Sequence, residues 1–304
     1  MKSGTSSTLT QRKPVCHLCK SESSDLIGER VSTAPESKVY RCKGCELVYL
    51  FPIMTQEEET AFYQAEWDAY MEKRAGPGWK SPASHFRSYQ PEGERRLGLI
   101  RPSLLPEDRV LEIGSGTGYF LDDLRGYVTA VTGVEPNPAQ REYAHQRGLK
   151  TAATLEELGP QKFDVICAYY VVEHFRDPVG TLASWRSRLN ANGRMVIEVP
   201  NVDDILLGPY AIPNFAPFYW QKAHYFNFSR KTLKKVLDRA GYTSHLLPVQ
   251  RYDLSNHMVW MMEGKPGGAG RFKDLFTPAL EASYADMLKA QWHCDTVMAV
   301  ATVR

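Results

Sequence analysis

Two pairs of cysteines near the N-terminus have the spacing of a metal site. Each pair encloses two residues, in Cys16-His17-Leu18-Cys19 and Cys42-Lys43-Gly44-Cys45, and 22 residues separate the pairs. Thiolates on two such turns can surround one ion tetrahedrally, as in structural zinc sites. We therefore predict that Cys16, Cys19, Cys42 and Cys45 bind a structural Zn²⁺, with a pair of redox-active dithiols as the alternative. Because four thiolates leave no open position, this ion is not expected to perform chemistry.

A second stretch combines an acid with closely spaced glycines. Residues 110–120 read VLEIGSGTGYF, an apolar run that stops at Gly114, Gly116 and Gly118 and then resumes. The pattern predicts a buried strand, a tight turn and a helix start, and the glycines let backbone amides approach a ligand closely. A turn of this kind at the carboxyl end of a parallel strand is a typical nucleotide site.

Charged residues around this turn indicate which nucleotide it binds. A dinucleotide GxGxxG turn would need glycine where the chain has Tyr119, and Glu112 precedes the glycines. A carboxylate there suits a ligand with an ammonium or sulfonium group better than a pyrophosphate. Glu135 directly follows the next apolar segment, 128–134. An acid at this position can accept hydrogen bonds from ribose hydroxyls.

Alternating strand and helix patterns predict the sheet that carries these residues. Strand candidates near 110, 129, 150, 164 and 195 alternate with helical segments, as in a parallel doubly wound α/β sheet. Two later strand candidates, 243–249 and 295–303, enclose a glycine-rich loop and a helix over 277–289. The predicted organisation is a disordered tail (1–13), a zinc-ribbon-like module (14–54), a helical bridge or lid (55–104) and an α/β domain (105–304).

The bridge is predicted to contain two helices and a break. Thr55 is the predicted N-cap of the first helix, whose aromatic residues are interpreted as a packing face, with a ligand site as the alternative. Ser81-Pro82 is predicted to break the chain, and a helix is predicted to resume over 86–100. The bridge is thus a candidate lid over the glycine turn.

In this order, the motifs resemble those of class I S-adenosylmethionine-dependent methyltransferases. The segments that carry the likeness are 112–118, 133–136, 163–178 and 189–201. The resemblance covers about 105–245 and implies a Rossmann-like seven-stranded sheet ending in an antiparallel pair. It also implies an enzyme that transfers a methyl group from S-adenosyl-L-methionine.

The resemblance assigns cofactor contacts to specific positions. Residues expected at the amino-acid part and ribose of the cofactor are Glu112, Gly114, Ser115, Gly116, Thr117, Gly118, Tyr119, Glu135 and Pro136. Tyr169 would flank the methionine moiety. The acid that often contacts adenine is missing, because the chain has Thr154-Leu155-Glu156 at that point.

Two histidines are candidates for the base that methyl transfer to a protonated acceptor requires. Glu173-His174 follows the fourth strand, and His224 lies in an aromatic loop after the fifth. The structural alternatives are packing beneath the cofactor for His174 and a loop-holding hydrogen bond for His224. Related ExxEH stretches bind a divalent ion in some small-molecule O-methyltransferases. Tyr170 replaces the first acid here, so no active-site metal is expected.

The acceptor is predicted to be a small molecule: a sugar, a nucleotide-sugar or a secondary metabolite. A four-cysteine module before such a domain resembles methyltransferases of nucleotide-linked sugars and natural products, although the match is partial. Candidate acceptor contacts, which solvated loops would explain equally well, are Tyr170, Tyr219, Tyr225, Arg251, Asn256 and His257.

Composition bears on the rival functions. With 37 basic and 35 acidic residues, the net charge of +2 argues against nucleic acid as a partner. No apolar run is long enough for a membrane helix, and a cytoplasmic location is expected. The alternatives are a methyltransferase that grips RNA or protein with the zinc module, and a non-catalytic cofactor-binding scaffold. The sequence does not predict an oligomeric state.

Overall fold

The structure is a computed structural model that describes residues 13–304. The predicted tail 1–13 therefore lies outside the described residues except for Lys13. The strands are β1 (Ser24–Gly28), β2 (Lys38–Cys42), β3 (Val48–Phe51), β4 (Arg109–Ile113), β5 (Ala130–Val134), β6 (Lys150–Ala152), β7 (Phe163–Tyr169), β8 (Leu189–Pro200), β9 (Phe226–Asn227), β10 (Tyr242–Val249) and β11 (Thr296–Val303). The helices are α1 (Gln56–Ala61), α2 (Trp67–Ala75), α3 (Pro82–Ile100), α4 (Tyr119–Leu124), α5 (Pro138–Gln146), α6 (Pro178–Trp185), α7 (Phe215–Tyr219), α8 (Arg230–Arg239), α9 (Leu254–Glu263) and α10 (Pro278–Gln291).

The main sheet has seven strands in the order β10-β11-β8-β7-β4-β5-β6. Strands β4 to β8 run parallel, whereas β11 pairs antiparallel with both β8 and β10. The predicted fold class, including the final antiparallel pair, is confirmed. Since β4 has the neighbours β5 and β7, the turns after these three strands meet at one edge of the sheet.

Both faces of this sheet are buried. Alternate residues of one strand enter different hydrophobic clusters: Leu111 packs with Ile166 and Ile197, whereas Val110 packs with Val165 and Val196. This is the period-two pattern of a strand that is covered on both sides. The continuous apolar runs that predicted these strands follow from that burial.

A smaller sheet links the cysteine module to the main domain. Its order is β1-β2-β3-β9, so the fourth strand comes from the segment that follows α7. Tyr49 pairs with Phe226, and Val48 pairs with Asn227. Cys16, Tyr49 and Phe226 belong to the same buried cluster as residues of the main sheet. The module therefore packs against the loop that contains His224.

Helix starts explain two differences from the sequence predictions. Ser81-Pro82 was expected to break the chain, with a helix from Phe86; instead Ser81 accepts a hydrogen bond from the amide of Ser84 and Pro82 is the first residue of α3. Proline fits this position because its missing N–H would have no helical partner. Thr55 forms the predicted N-cap of α1, with Glu58 completing a capping box.

The segment around residue 255 is the second region where a helix was not expected. Asp253 caps α9 by accepting a hydrogen bond from the amide of Asn256, so Asn256 and His257 lie on a helix rather than in a loop. Among residues 13–304, no helix is both long and apolar enough to cross a membrane.

Candidate active site

The glycine turn after β4 uses backbone conformations that favour glycine. The φ angles are +73° at Gly114, +54° at Gly116 and +77° at Gly118. A Cβ atom at Gly114 would lie 2.5 Å from Val171 Cγ2, in the loop that follows β7. The turn therefore needs glycine, and it lies directly against the segment that carries Glu173 and His174.

Glu112 is a buried acid next to this turn. Its side chain is 1% exposed, and within residues 13–304 its Oε2 atom has no hydrogen-bond partner. Arg96 Nη1 lies 3.4 Å from Oε1, and burial raises the pKa of Glu112 to about 8. A buried oxygen without a partner suits the ammonium group of a cofactor with an amino-acid part, because such a group would satisfy it. Glu112 therefore fits the predicted ligand.

Glu135 is held at the tip of β5 by two backbone amides. Gly116 N–H donates to Oε2 and Asn137 N–H donates to Oε1, each at 2.8 Å. A carboxylate has about four lone-pair sites, so acceptor capacity is left for ribose hydroxyls. Pro136 beside it is exposed, and the hydroxyl of Ser115 is buried without a described partner. These residues also fit the predicted ligand.

Aromatic residues lie on both sides of the turn. Tyr169 packs edge-on against Phe120, and the guanidinium of Arg96 lies 4.3 Å from the centre of its ring. Tyr119 is 5.7 Å from His85, ring centre to ring centre. Arg96 links the two predicted contacts to Glu112. Its guanidinium packs on the rings of Tyr119 and Tyr169 and lies beside the Glu112 carboxyl group.

Residues of the bridge cover the turn. His85 Nδ1 lies 2.9 Å from the hydroxyl of Thr117, and its ring packs between Trp79 and Tyr89. Burial lowers the pKa of His85 to about 3, so the ring is neutral. Asp68 of α2 accepts hydrogen bonds from the side chains of Asn137 and Gln140 beside Glu135.

Glu173, His174 and His224 lie together. One side-chain nitrogen or oxygen from each falls within 4.8 Å of the others. The two imidazole rings are 4.9 Å apart between centres, and Glu173 Oε1 is 4.0 Å from His174 Nε2. The sequence predicted each residue as a catalytic candidate; their proximity arises because β9 follows His224 and the loop after β7 packs beside it.

Glu173 and His224 are buried, His174 is partly buried, and all three side chains are neutral. Glu173 is 1% exposed, and neither of its carboxylate oxygens has a partner in the described chain. Burial raises the pKa of Glu173 to about 8 and lowers that of His174 to about 4. Burial also lowers the pKa of His224 well below its usual value, and His174 and Arg74 contribute. Near neutral pH the cluster therefore holds a carboxylic acid and two imidazoles that can each accept a proton.

The six predicted acceptor contacts fall into different surroundings. Tyr170 follows β7 with a φ of +59°, and its hydroxyl donates to Glu198. The Arg251 guanidinium lies 4.6 Å from the centre of the Tyr170 ring. The hydroxyls of Tyr219 and Tyr225 are buried, and neither has a partner among the residues described.

Asn256 and His257 lie in a separate cluster. Asn256 belongs to the first turn of α9, and His257 Nδ1 is 2.8 Å from the hydroxyl of Tyr284 on α10. Burial lowers the pKa of His257 to about 4. The side-chain partners of these two residues are thus Asp253, Gln250 and Tyr284 rather than Glu173, His174 or His224.

The four cysteines of the N-terminal module converge. Cys16 Sγ lies 3.5 Å from Cys45 Sγ, Cys19 Sγ lies 3.4 Å from Cys42 Sγ, and all four sulfurs are within 4.8 Å of one another. A tetrahedral ion with zinc–sulfur distances of about 2.3 Å requires sulfur–sulfur separations of about 3.8 Å. The donor set and its spacing fit zinc.

Sequence reasoning missed three residues that touch the site. Arg96 contacts Glu112, His85 contacts Thr117, and Tyr63 lies 2.8 Å from His174 Nδ1 through its hydroxyl. All three belong to the predicted bridge, whose aromatic residues were interpreted as a packing face. The sequence feature that could have pointed to these three residues was the predicted lid, since residues of a lid over the glycine turn must contact the site.

Comparison with known proteins identifies the class. Among solved structures, a SAM-dependent methyltransferase from Archaeoglobus fulgidus superposes with a TM-score of 0.52 at 16% identity, over 78% of this chain and 99% of that one. The likeness and the sheet order define a class I S-adenosylmethionine-dependent methyltransferase fold. The profile of a family described as "Methyltransferase domain" matches residues 83–247, which is 165 of 304 residues. The chain belongs to this family.

Curated relatives share only part of their length with the chain. A tRNA U34 carboxymethyltransferase of Dichelobacter nodosus is 33% identical over 104 residues, 31% of this chain and 33% of the relative. A ubiquinone biosynthesis O-methyltransferase of Histophilus somni is 28% identical over 145 residues, 42% of this chain and 61% of the relative. The chain therefore spans less than two thirds of each.

The raised pKa of Glu173 predicts a dependence of stability on pH. The folded chain keeps a proton on Glu173 up to about pH 8, whereas the unfolded chain releases it near its ordinary pKa. The free energy of unfolding should therefore fall as pH rises from about 5 to 8. Glu173→Gln should make this fall shallower, by up to about 1 kcal/mol per pH unit. Urea unfolding at several pH values measures it, with Glu156→Gln as an exposed control. If the free energy of unfolding has the same pH dependence in the unchanged protein, Glu173→Gln and Glu156→Gln, the raised pKa of Glu173 is contradicted.

Proposed function

We propose that this chain transfers a methyl group from S-adenosylmethionine to a small-molecule acceptor that binds at Glu173, His174 and His224. The main support is that these three side chains form a cluster beside the glycine turn. Within residues 13–304, neither carboxylate oxygen of Glu173 has a hydrogen-bond partner. When bound, the cofactor supplies an electrophilic methyl group on a sulfonium. The chain must therefore bind it, orient an acceptor and accept the acceptor's proton.

Cofactor binding is assigned to the residues around the turn. Glu112 and Glu135 would hold the amino group and the ribose hydroxyls, because both are buried acids with free acceptor capacity. The backbone of Gly114 to Gly118 would surround the amino-acid part. Arg96 lies beside Glu112 and adds a positive charge that suits the cofactor's carboxylate.

Acceptor chemistry is assigned to the histidines. Near neutral pH both imidazoles are uncharged, so either can take a proton from a hydroxyl, an amine or an acidic carbon. Trp67 and Tyr63 of the bridge pack against His174. Aromatic side chains around the histidines favour a small acceptor. We therefore propose that the acceptor is a sugar, a nucleotide-sugar or a secondary metabolite.

The cysteine cluster is assigned a structural Zn²⁺. Four thiolates within 4.8 Å support a closed tetrahedral site, which has no place for a reacting ligand. Because β3 pairs with β9, the metal would stabilise the segment next to His224.

A labelling screen tests the reaction. The full chain is incubated with S-adenosylmethionine that carries a labelled methyl group and with sugar nucleotides, phenolic quinone precursors and total tRNA, and mass spectrometry locates the label. Methylation in a small-molecule arm supports the proposal. Labelling of tRNA alone would instead support the nucleic-acid alternative, and absence of transfer in every arm would support a non-catalytic scaffold.

The loss of an acid–base group should lower turnover selectively. His224→Gln is expected to reduce kcat by about 10² to 10⁴ while the Kd for the cofactor stays unchanged, because a positioned base contributes on this order. Steady-state kinetics and calorimetry measure the two quantities. His245→Gln, which changes an exposed histidine of β10, is the matched control. Normal turnover in both His224→Gln and His174→Gln would exclude a histidine base.

Cofactor affinity should depend on Glu135. Glu135→Ala removes the proposed ribose acceptor, and a hydrogen bond to a charged group contributes about 1.5–3 kcal/mol. The Kd for S-adenosylmethionine is therefore expected to rise roughly 10- to 100-fold by calorimetry. Glu107→Ala, which changes an exposed acid, should leave it unchanged. An unaltered Kd in Glu135→Ala would rule out the ribose contact.

Metal removal should affect turnover more than cofactor binding. The purified chain is expected to contain about one zinc ion, and chelation should destabilise the small sheet and thereby the loop of His224. Emission spectrometry measures the metal, and turnover and cofactor affinity are compared before and after chelation. A zinc-free chain with full turnover, or a purified chain without metal, would contradict the assignment.

A further inference from the structure

The hydrogen-bond partner of His174 comes from outside the segment that matches the methyltransferase-domain family. Tyr63 lies in a π-helical turn, Phe62–Glu66, between α1 and α2, whereas the matched segment starts at residue 83. Its hydroxyl oxygen is 2.8 Å from His174 Nδ1. Single π-helical turns are rare, and they occur frequently at functional sites. This turn brings an aromatic hydroxyl from the bridge to the buried cluster.

The direction of this hydrogen bond follows from the two groups. Burial raises the pKa of Tyr63 well above its usual value, so the phenol keeps its proton. Burial lowers the pKa of His174 to about 4, so the ring is neutral and one of its nitrogens is an acceptor. A phenol O–H, with an ordinary pKa of about 10, is a better donor than the N–H of a neutral imidazole. These properties favour donation from the Tyr63 hydroxyl to Nδ1, which places the ring proton of His174 on Nε2.

The tautomer determines what each histidine offers to an acceptor. Nε2 of His174 faces Glu173, at 4.0 Å from Oε1, so His174 presents an N–H donor to the cluster. The ring of His224 has no hydrogen bond to another residue within 13–304, and as a neutral imidazole it has one nitrogen with a free lone pair. The two rings are thus a donor and a proton acceptor with centres 4.9 Å apart.

We propose that Tyr63 is a positioning residue that fixes His174 as the Nε2–H tautomer, which leaves His224 as the base. His174 Nε2–H donates a hydrogen bond to the reacting atom of the acceptor. The bond between that atom and its proton breaks, and the proton passes to the free nitrogen of His224. The electron pair left on the acceptor forms the bond to the methyl carbon while the methyl–sulfur bond breaks, and the sulfur keeps that bond's electrons and leaves as the thioether of S-adenosylhomocysteine. The assignment of roles rests on the proposed methyl transfer, but the tautomer of His174 does not.

Nuclear magnetic resonance tests the tautomer without turnover. The full chain is labelled with ¹⁵N in its histidine rings, bound to S-adenosylhomocysteine and compared with His174→Gln to assign the signals. In the unchanged protein, His174 is expected to show a protonated Nε2 and an unprotonated Nδ1. Tyr63→Phe should produce a mixture of tautomers. Tyr70→Phe is the matched control, because it removes a bridge hydroxyl that bonds to Gln221 instead. A proton on Nδ1 in the unchanged protein, or an identical spectrum in Tyr63→Phe, would overturn the proposal.

Kinetics test the assigned roles once the labelling screen has identified an acceptor. Tyr63→Phe should lower kcat by roughly tenfold, on the scale of one lost hydrogen bond, with an unchanged Kd for the cofactor. If Tyr63 acts through His174, the same change should have no further effect in a His174→Gln background. Independent, multiplicative losses would show a purely structural role and overturn the proposal. Failure of every acceptor would count against the methyl transfer only, since the spectra decide the Tyr63 assignment separately.

Discussion

A buried network of arginines and acids connects the bridge to the carboxyl edge of the sheet. Arg95 of α3 lies 2.9 Å from Glu198, which has no exposed surface, and Arg96 lies 3.4 Å from Glu112. Glu92 of the same helix contacts both arginines. Removing one partner of the Arg95–Glu198 ion pair would leave a largely buried charge without compensation, which costs about 3–5 kcal/mol. Because these pairs join α3 to β4 and β8, they determine where the bridge lies over the glycine turn.

The position of the bridge in turn assembles the candidate site. With α3 held on the sheet, His85 meets Thr117, and the segment before it brings Tyr63 and Trp67 to His174. The opposite wall depends on the cysteine module, since β3 pairs with β9 directly after His224. Each wall is thus supplied by a part of the chain that lies outside the glycine turn and its strands. Because these two walls cover Glu173, His174 and His224, the three side chains are shielded from solvent. The Glu173 oxygens nevertheless have no hydrogen-bond partner within residues 13–304.

Sequence reasoning succeeded where one local feature determines the structure. The apolar run into Glu112 and the glycines after it predicted a strand and a turn, because a strand buried on both faces is continuously apolar and a tight turn requires glycine. The sequence prediction was wrong where the same residues are common both in chain breaks and at helix starts. Ser81-Pro82 resembles a chain break, yet the same pair caps a helix and begins it. At Asn256, the capping role of Asp253 was not recognised, and a helix was taken for a loop.

The sequence by itself determined the fold class, the four convergent cysteines and the identity of Glu173, His174 and His224 as candidate groups. The parallel α/β sheet follows from periodicity, and the cysteine site and the candidate groups follow from spacing and residue chemistry, which are local properties of the chain. The seven-stranded form with its antiparallel pair was implied by the family resemblance. Only the tertiary structure decided that the two histidine rings lie 4.9 Å apart between centres and that Tyr63 is the partner of His174. Such contacts join segments that are far apart in the chain, so their geometry depends on how the bridge and the module pack on the sheet. Burial, which sets the protonation of all three groups, is likewise a property of the packed molecule alone.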